Sequence, residues 1–212
     1  MAGLYIALEG PEGSGKSTQL RILADRLRHL GLEVVEIREP GGVEIAEAIR
    51  SILLDPAHRG LTPEAEMLLF AAARAQLVRE VVRPALEQGR IVLSDRSVYA
   101  SLAYQGVART LGVDVVRRVN EVATGGLLPD LVLVLDLPPE EGLSRARPNR
   151  FEGEDPEFHR RVREGFLQLG REDPRVRIVP AHGSVQEVAS RIWGHVEPLL
   201  RARGLLPDEG RG

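Results

Sequence analysis

Leu4 to Glu9 is a short apolar run that breaks into glycines, the pattern of a buried strand entering a loop. From Lys16 to Leu30 the apolar residues Leu20, Leu23, Leu27 and Leu30 recur at helical spacing, and Gly31 stands where a helix C-cap is expected. Val34 to Ile37 reads as the next strand, followed by a Glu39-Pro40-Gly41-Gly42 turn. Val43 to Leu54 and Pro63 to Glu87 read as helices, the second entered through Thr62 as N-cap with Pro63 at its first position. Ile91 to Leu93 is a buried strand ending at Ser94-Asp95-Arg96, and two helical stretches follow, broken near Leu111-Gly112 and at Gly125-Gly126. Leu131 to Leu135 is a strand and Pro139 to Ala146 a short helix. After a polar, arginine-rich loop come a helix over Pro156 to Leu169, a strand over Val176 to Val179 and a helix over Val185 to Arg203.

Five short apolar strands thus alternate with helices, and three of them are continuous hydrophobic runs. That predicts an α/β fold with a five-stranded parallel sheet covered on both faces. There is no internal repeat or linker, so residues 1–204 are read as one domain. The stretch at about 147–155 is expected to be a mobile flap, and 205–212 a tail without partners.

Composition narrows the class. With 212 residues, 43% hydrophobic and 28% charged, the chain is globular, and a net charge of −3 gives no basic surface for nucleic acid or membranes. Cysteine is absent, which excludes disulfide scaffolds, thiolate metal sites and cysteine nucleophiles. No apolar run approaches the roughly 20 residues of a membrane span, and the N-terminus lacks a basic leader, so an intracellular, cytoplasmic location is expected. Of the 28 basic residues, Lys16 alone is lysine. Its position should be one where a compact ammonium cannot be exchanged for a guanidinium.

Gly10-Pro11-Glu12-Gly13-Ser14-Gly15-Lys16-Ser17 fits G-x-x-x-x-G-K-[ST], follows a strand and opens a helix. Glycines let backbone N–H groups converge on a phosphate, and the helix N-terminus adds positive potential. Lys16 would reach the β- and γ-phosphates, and the Ser17 hydroxyl would ligate Mg²⁺. A chance match in this composition is on the order of one in a thousand. A GTPase would need an Asn-Lys-x-Asp guanine reader, for which no second lysine exists. Asp95-Arg96, at the end of the third apolar segment, supplies a carboxylate able to hold Mg²⁺ through water and a guanidinium suited to an anionic acceptor. A surface salt bridge is the plain alternative.

Glu12 in the phosphate loop, Arg38-Glu39-Pro40-Gly41-Gly42, Leu69-Phe70-Ala71-Ala72-Ala73-Arg74, and Asp95-Arg96 followed by Ser101-Leu102-Ala103-Tyr104-Gln105-Gly106 together resemble thymidylate kinases of the bacterial type, from Leu4 to about Val196. The resemblance implies a P-loop NTPase fold with a small lid, and transfer of the γ-phosphoryl of Mg·ATP to dTMP. By it, Gly10 to Thr18 would bind ATP, and Lys16, Asp95 and Arg96 would serve catalysis. Phe70 would stack on thymine, Arg74 would donate to its O4, and Gln105 or Ser101 would face N3. On periodicity alone Phe70 reads as helix core and Arg74 as a solvated arginine. Tyr104 would disfavour a 2′-hydroxyl, Glu12 would accept from the 3′-hydroxyl, and Arg38 and Arg96 would clamp the monophosphate, with Arg50 a further candidate. The lid would supply a catalytic arginine, Arg150 ahead of Arg147. Arg145 would lie on adenine, with Ala181 to Val185 completing that slot. A homodimer is implied as well. The rival readings are a kinase for a deoxynucleoside or another nucleoside monophosphate, and a non-catalytic nucleotide-binding regulator.

Overall fold

The computed structural model describes residues 3–144, 150–151 and 153–207. Five strands, β1 (Leu4–Glu9), β2 (Val34–Arg38), β3 (Ile91–Asp95), β4 (Leu131–Asp136) and β5 (Val176–Pro180), form one all-parallel sheet in the order β2-β3-β1-β4-β5. β1 lies at the centre between β3 and β4; the chain runs from β1 out to β2 and back to β3 on one side, then crosses to β4 and β5 on the other. That reversal opens a crevice at the carboxyl ends of the strands.

Side chains alternate across the pleat, and each face has its own cover. Leu4, Ile6 and Leu8 of β1 join Leu131, Leu133 and Leu135 of β4 beneath α1 (Lys16–His29) and α9 (Val185–Ala202). On the opposite face Tyr5 and Val92 meet Leu77, Val78 and Val82, while Val132 and Val134 meet Phe158, Val162 and Phe166 of α8 (Pro156–Glu172). The remaining helices are α2 (Glu44–Leu54), α3 (Pro63–Leu77), α4 (Arg83–Glu87), α5 (Val98–Ser101), α6 (Val113–Thr124) and α7 (Pro139–Leu143).

Local signals are used as their chemistry suggests. Thr62 caps α3 by accepting from Ala65 N, and Gly31, at φ +80°, ends α1 with Leu32 N bonded back to Leu27 O at 3.1 Å. The run expected as one helix from Pro63 to Glu87 instead widens into a π-helical turn at Val78–Val82. Pro84, just beyond it, has no N–H to give and its ring crowds the preceding turn. A second π-helical segment spans Leu102–Ala108, closed by Arg109 N on Tyr104 O at 2.8 Å. Leu205 and Leu206, expected in a tail without partners, pack against the core under α1 and α9; 208–212 lie outside the described residues. No helix among the described residues is long and apolar enough to cross a membrane.

Candidate active site

The loop from Gly10 to Gly15 leaves the end of β1 and delivers its chain to the N-terminus of α1. Gly13, at φ +68°, sits so close to α7 that a Cβ there would meet the Gly142 carbonyl oxygen at 1.9 Å. Gly142 is equally confined, its own missing Cβ falling 2.1 Å from Glu12 O. The two glycines therefore press the phosphate loop onto the helix that precedes the arginine-rich segment.

Lys16 is buried and its Nζ donates to Pro11 O at 2.8 Å, Gly10 O at 3.1 Å and Ser14 Oγ at 3.4 Å. Burial, then the neighbouring Arg96, pull its pKa down to about 8, against Glu12, Asp95 and Glu9. Ser17 Oγ donates to Asp95 Oδ2 at 2.5 Å, tying the start of α1 to the end of β3. Register places Arg38 opposite Asp95, so the β2 end contributes to the same rim.

Arg96 occupies the left-handed region at φ +75°, unusual for a residue with a side chain. The turn is fixed by Arg96 N on Leu8 O at 2.9 Å and by Ser94 Oγ donating to the Arg96 carbonyl. Behind it, Glu9 Oε1 accepts from Ser97 Oγ at 2.7 Å and Ala100 N at 3.2 Å. The guanidinium emerges over the phosphate loop, with Nη2 on Glu12 Oε1 at 2.6 Å and Nη1 on Gly10 O at 3.3 Å. Tyr104 donates its hydroxyl to the same Glu12 oxygen at 3.0 Å. Burial opposes the Glu12 charge, but Arg96 and then Lys16 hold its carboxyl below the usual range.

These groups open onto one cleft of about 790 Å³. Glu12 to Thr18 form its floor, Arg38, Arg50 and Arg96 one wall, and Phe70, Ser101, Tyr104, Gln105 and Phe151 an aromatic end. Ala181, Gly183 and Val185 line it beyond α1, where the adenine slot was expected. Arg38 is held by Glu47 Oε1 at 2.8 Å and Arg50 by Pro40 O at 2.7 Å. Burial and the adjacent Arg38 lower the Arg50 pKa.

Two residues stand elsewhere than the sequence implied. Arg74 is neither solvated nor on the cleft wall. It is 2% exposed and spends its donors on Glu39 Oε2 at 2.6 Å, Ser101 Oγ at 3.1 Å, Ser97 O at 3.0 Å and Asn120 Oδ1. Arg150, expected over the transferring phosphoryl group, is turned inward. Its Nε donates to Leu53 O at 2.7 Å, its Nη2 pairs with Glu66 Oε2 at 2.8 Å, and its guanidinium lies over Phe151. A buried carboxylate is a stronger claim on that guanidinium than an open loop position. Arg145 and Arg147 lie outside the described residues. Sequence reasoning passed over Glu47, Glu66 and Phe151. Phe151 adjoins the lid arginine in sequence, but nothing local in the chain marks Glu66, whose partners come from distant segments.

The family model for thymidylate kinase matches residues 8–192. The thymidylate kinase of Syntrophotalea carbinolica is 52% identical over 200 residues, covering 89% of this chain and 93% of that protein. That of Symbiobacterium thermophilum is 49% identical, covering 94% and 95%. The chain belongs to the thymidylate kinase family. A crystal structure of the Ehrlichia chaffeensis thymidylate kinase shares the architecture at a TM-score of 0.78 with 27% identity, covering 93% of this chain and 99% of that one.

Proposed function

We propose that the cleft works as follows. The protein transfers the γ-phosphoryl group of ATP to dTMP, giving dTDP and ADP. The acceptor oxygen is already ionised at neutral pH, so no strong general base is needed. What the site must overcome is repulsion between two polyanions, and positioned cations do that. Lys16 and the N–H groups opening α1 take the triphosphate, with Ala181 to Val185 beside the adenine. Arg38, Arg50 and Arg96 hold the monophosphate, and Arg96, lying between loop and acceptor, can bridge both. Phe70 offers a flat face to thymine, Gln105 an acceptor to its N3–H, and Tyr104 fills the space of a 2′-hydroxyl.

The hydroxyl of Ser17 and the carboxylate of Asp95, 2.5 Å apart, are hard oxygen donors of the kind a Mg²⁺ ion uses while keeping several waters. Bound there with ATP, the ion would offset charge on the β- and γ-phosphates. The observation that carries this reading is that the chain's single lysine and its aromatic end open onto one cleft with three arginines between.

A homodimer is supported by exposed apolar residues on α2 (Ile45, Ile52), α3 (Leu68) and α6 (Val115, Val122). Light scattering should give twice the chain mass. A cytoplasmic location suits an enzyme that draws on ATP. The reaction is tested by ADP release across the nucleoside monophosphates. dTMP should be the best acceptor by at least tenfold in kcat/KM, and equal or better turnover of another monophosphate would refute the reading.

A further inference from the structure

Glu66 of α3 is fully buried and sits behind the aromatic end of the cleft. Its Oε1 accepts from Gln105 Nε2 at 2.7 Å and from Arg109 Nε at 3.3 Å, while its Oε2 accepts from Arg109 Nη2 at 3.1 Å and lies 2.8 Å from Arg150 Nη2. An ionised carboxylate only accepts, whereas a glutamine side chain can present either oxygen or nitrogen to a neighbour. Glu66 therefore dictates which way round the Gln105 amide stands. With Nε2 turned to Glu66, Oε1 stands at the other corner of the amide as the acceptor Gln105 can offer a ligand in the cleft it lines.

We propose that Glu66 is a positioning residue for acceptor-base selection, fixing Gln105 as a hydrogen-bond acceptor so that the cleft takes a base with N3–H and rejects one whose N3 is itself an acceptor. Thymine and uracil have the first edge and cytosine the second. The proposal rests on the reading of Gln105 as the residue that meets the base at N3. The two guanidinium groups make it sharper. Oε2 has the closer cations, Arg109 Nη2 at 3.1 Å and Arg150 Nη2 at 2.8 Å, against Arg109 Nε at 3.3 Å on Oε1, so a glutamine at position 66 gains most by keeping its oxygen at the Oε2 position and turning its nitrogen toward Gln105. Gln105 would then rotate its oxygen toward residue 66 and its NH₂ toward the base.

The test is kcat/KM for dTMP, dUMP and dCMP with the wild type, Glu66→Gln, Gln105→Leu and the double variant Glu66→Gln/Gln105→Glu. Glu66→Gln should lower the dTMP:dCMP ratio roughly ten- to a hundredfold, the scale of exchanging a matched for a mismatched hydrogen bond. The dTMP:dUMP ratio should stay within twofold, because those bases differ only at C5. In the double variant the carboxylate has moved to position 105, where it accepts from residue 66 and from N3–H alike, so thymine selectivity should return. Should Glu66→Gln fail to fold, the double variant decides: a folded double that does not prefer dTMP over dCMP overturns the proposal. An equal loss toward all three acceptors in Glu66→Gln makes Glu66 a packing residue and overturns it too. A Gln105→Leu ratio within twofold of wild type removes Gln105 from base reading, and the proposal falls with that reading. A collapsed ratio in Gln105→Leu with an unchanged one in Glu66→Gln keeps the reading and sinks the role of Glu66.

Discussion

Arg96 Nη2 lies 2.6 Å from Glu12 Oε1, so a guanidinium lining the cleft already holds a carboxylate of the phosphate loop. In the proposed reaction Glu12 occupies the fork that the acceptor phosphate would take, and the left-handed turn at Arg96 sets where that fork emerges. Arg96→Lys should keep the charge but lose the forked geometry, since an ammonium cannot span Gly10 O, Glu12 and an acceptor phosphate together. A loss of about 10²-fold in kcat/KM for dTMP is expected, with the fold intact by circular dichroism. A loss under threefold would mean the fork is dispensable.

Lys16 offers the complementary case. Its ammonium sits among three loop oxygens at 2.8–3.4 Å, a space for a point cation. Lys16→Arg introduces a wider planar group, and turnover should drop by at least about 10²-fold although arginine serves at every other basic position. Near-normal kcat in that variant would remove Lys16 from the reaction.

Much of this arrangement is legible along the chain because it is local. The phosphate loop is contiguous, the Asp95-Arg96 pair ends an apolar run, and Gly31 and Thr62 mark helix ends with chemistry of their own. The parallel sheet follows from strand runs buried on both faces. What the chain conceals is competition between distant partners. Nothing near Arg74 in sequence announces Glu39, Ser97 or Asn120, so a cleft role and a buried structural one look alike. Arg150 is the same problem: its carboxylate partner is 84 residues away, at Glu66, on another helix.

Tyr104 joins two jobs that substitution can separate. Its ring meets Phe151, Phe158 and Phe166 edge-on at centroid distances of 5.8–6.2 Å, and its hydroxyl reaches Glu12. Tyr104→Phe keeps the ring and should preserve the preference for deoxyribose over ribose acceptors, with dTMP turnover lowered a few-fold. Tyr104→Ala empties the cluster, costing about 3–5 kcal/mol of stability, and should relax that preference by roughly tenfold or more. If the alanine variant loses stability but discriminates as before, the ring is core and nothing else.

Glu9 gives stability a pH dependence. It is wholly buried, its Oε2 has no partner among the described residues, and burial above all raises its pKa to about 7 from 4.5. Arg96, Ser97 and Lys16 pull the other way, and Glu39 adds to the rise. Between these two values the native state binds the proton and the unfolded chain does not, so stability falls as pH rises through that window and levels off above it. The contribution lost is on the order of 3 kcal/mol. Glu9→Gln mimics the neutral acid, still accepting from Ser97 and Ala100, and should abolish this part of the slope. Melting temperatures of both proteins at pH 5 and pH 8 provide the check, with the variant gaining on the wild type at pH 8. Equal differences at the two pH values would show that Glu9 is not protonated in the folded state.

The lid poses the last question, because the phosphate loop supplies a carboxylate, Glu12, near where charge develops on the transferring group. Some cation beyond Lys16 and Arg96 must approach, and α7, which precedes the arginine-rich segment in the chain, packs on the phosphate loop through the Gly13–Gly142 contact. Of its members, Arg150 is committed to Leu53 O and Glu66. Removing it leaves Glu66 with Arg109 as its remaining cation, so Arg150→Ala should destabilise the fold by about 3 kcal/mol, the low end for breaking a buried pair, and lower kcat only modestly. Arg147 carries the stronger expectation for catalysis. Because a transition-state cation acts on the chemical step more than on binding, Arg147→Ala should reduce single-turnover rates on the order of 10³-fold while ATP affinity changes little. Single-turnover kinetics and nucleotide binding, measured beside thermal melts for both variants, separate the two roles. A kcat collapse in Arg150→Ala with a normal melt, and none in Arg147→Ala, would mean that Arg150 leaves Glu66 to do the chemistry.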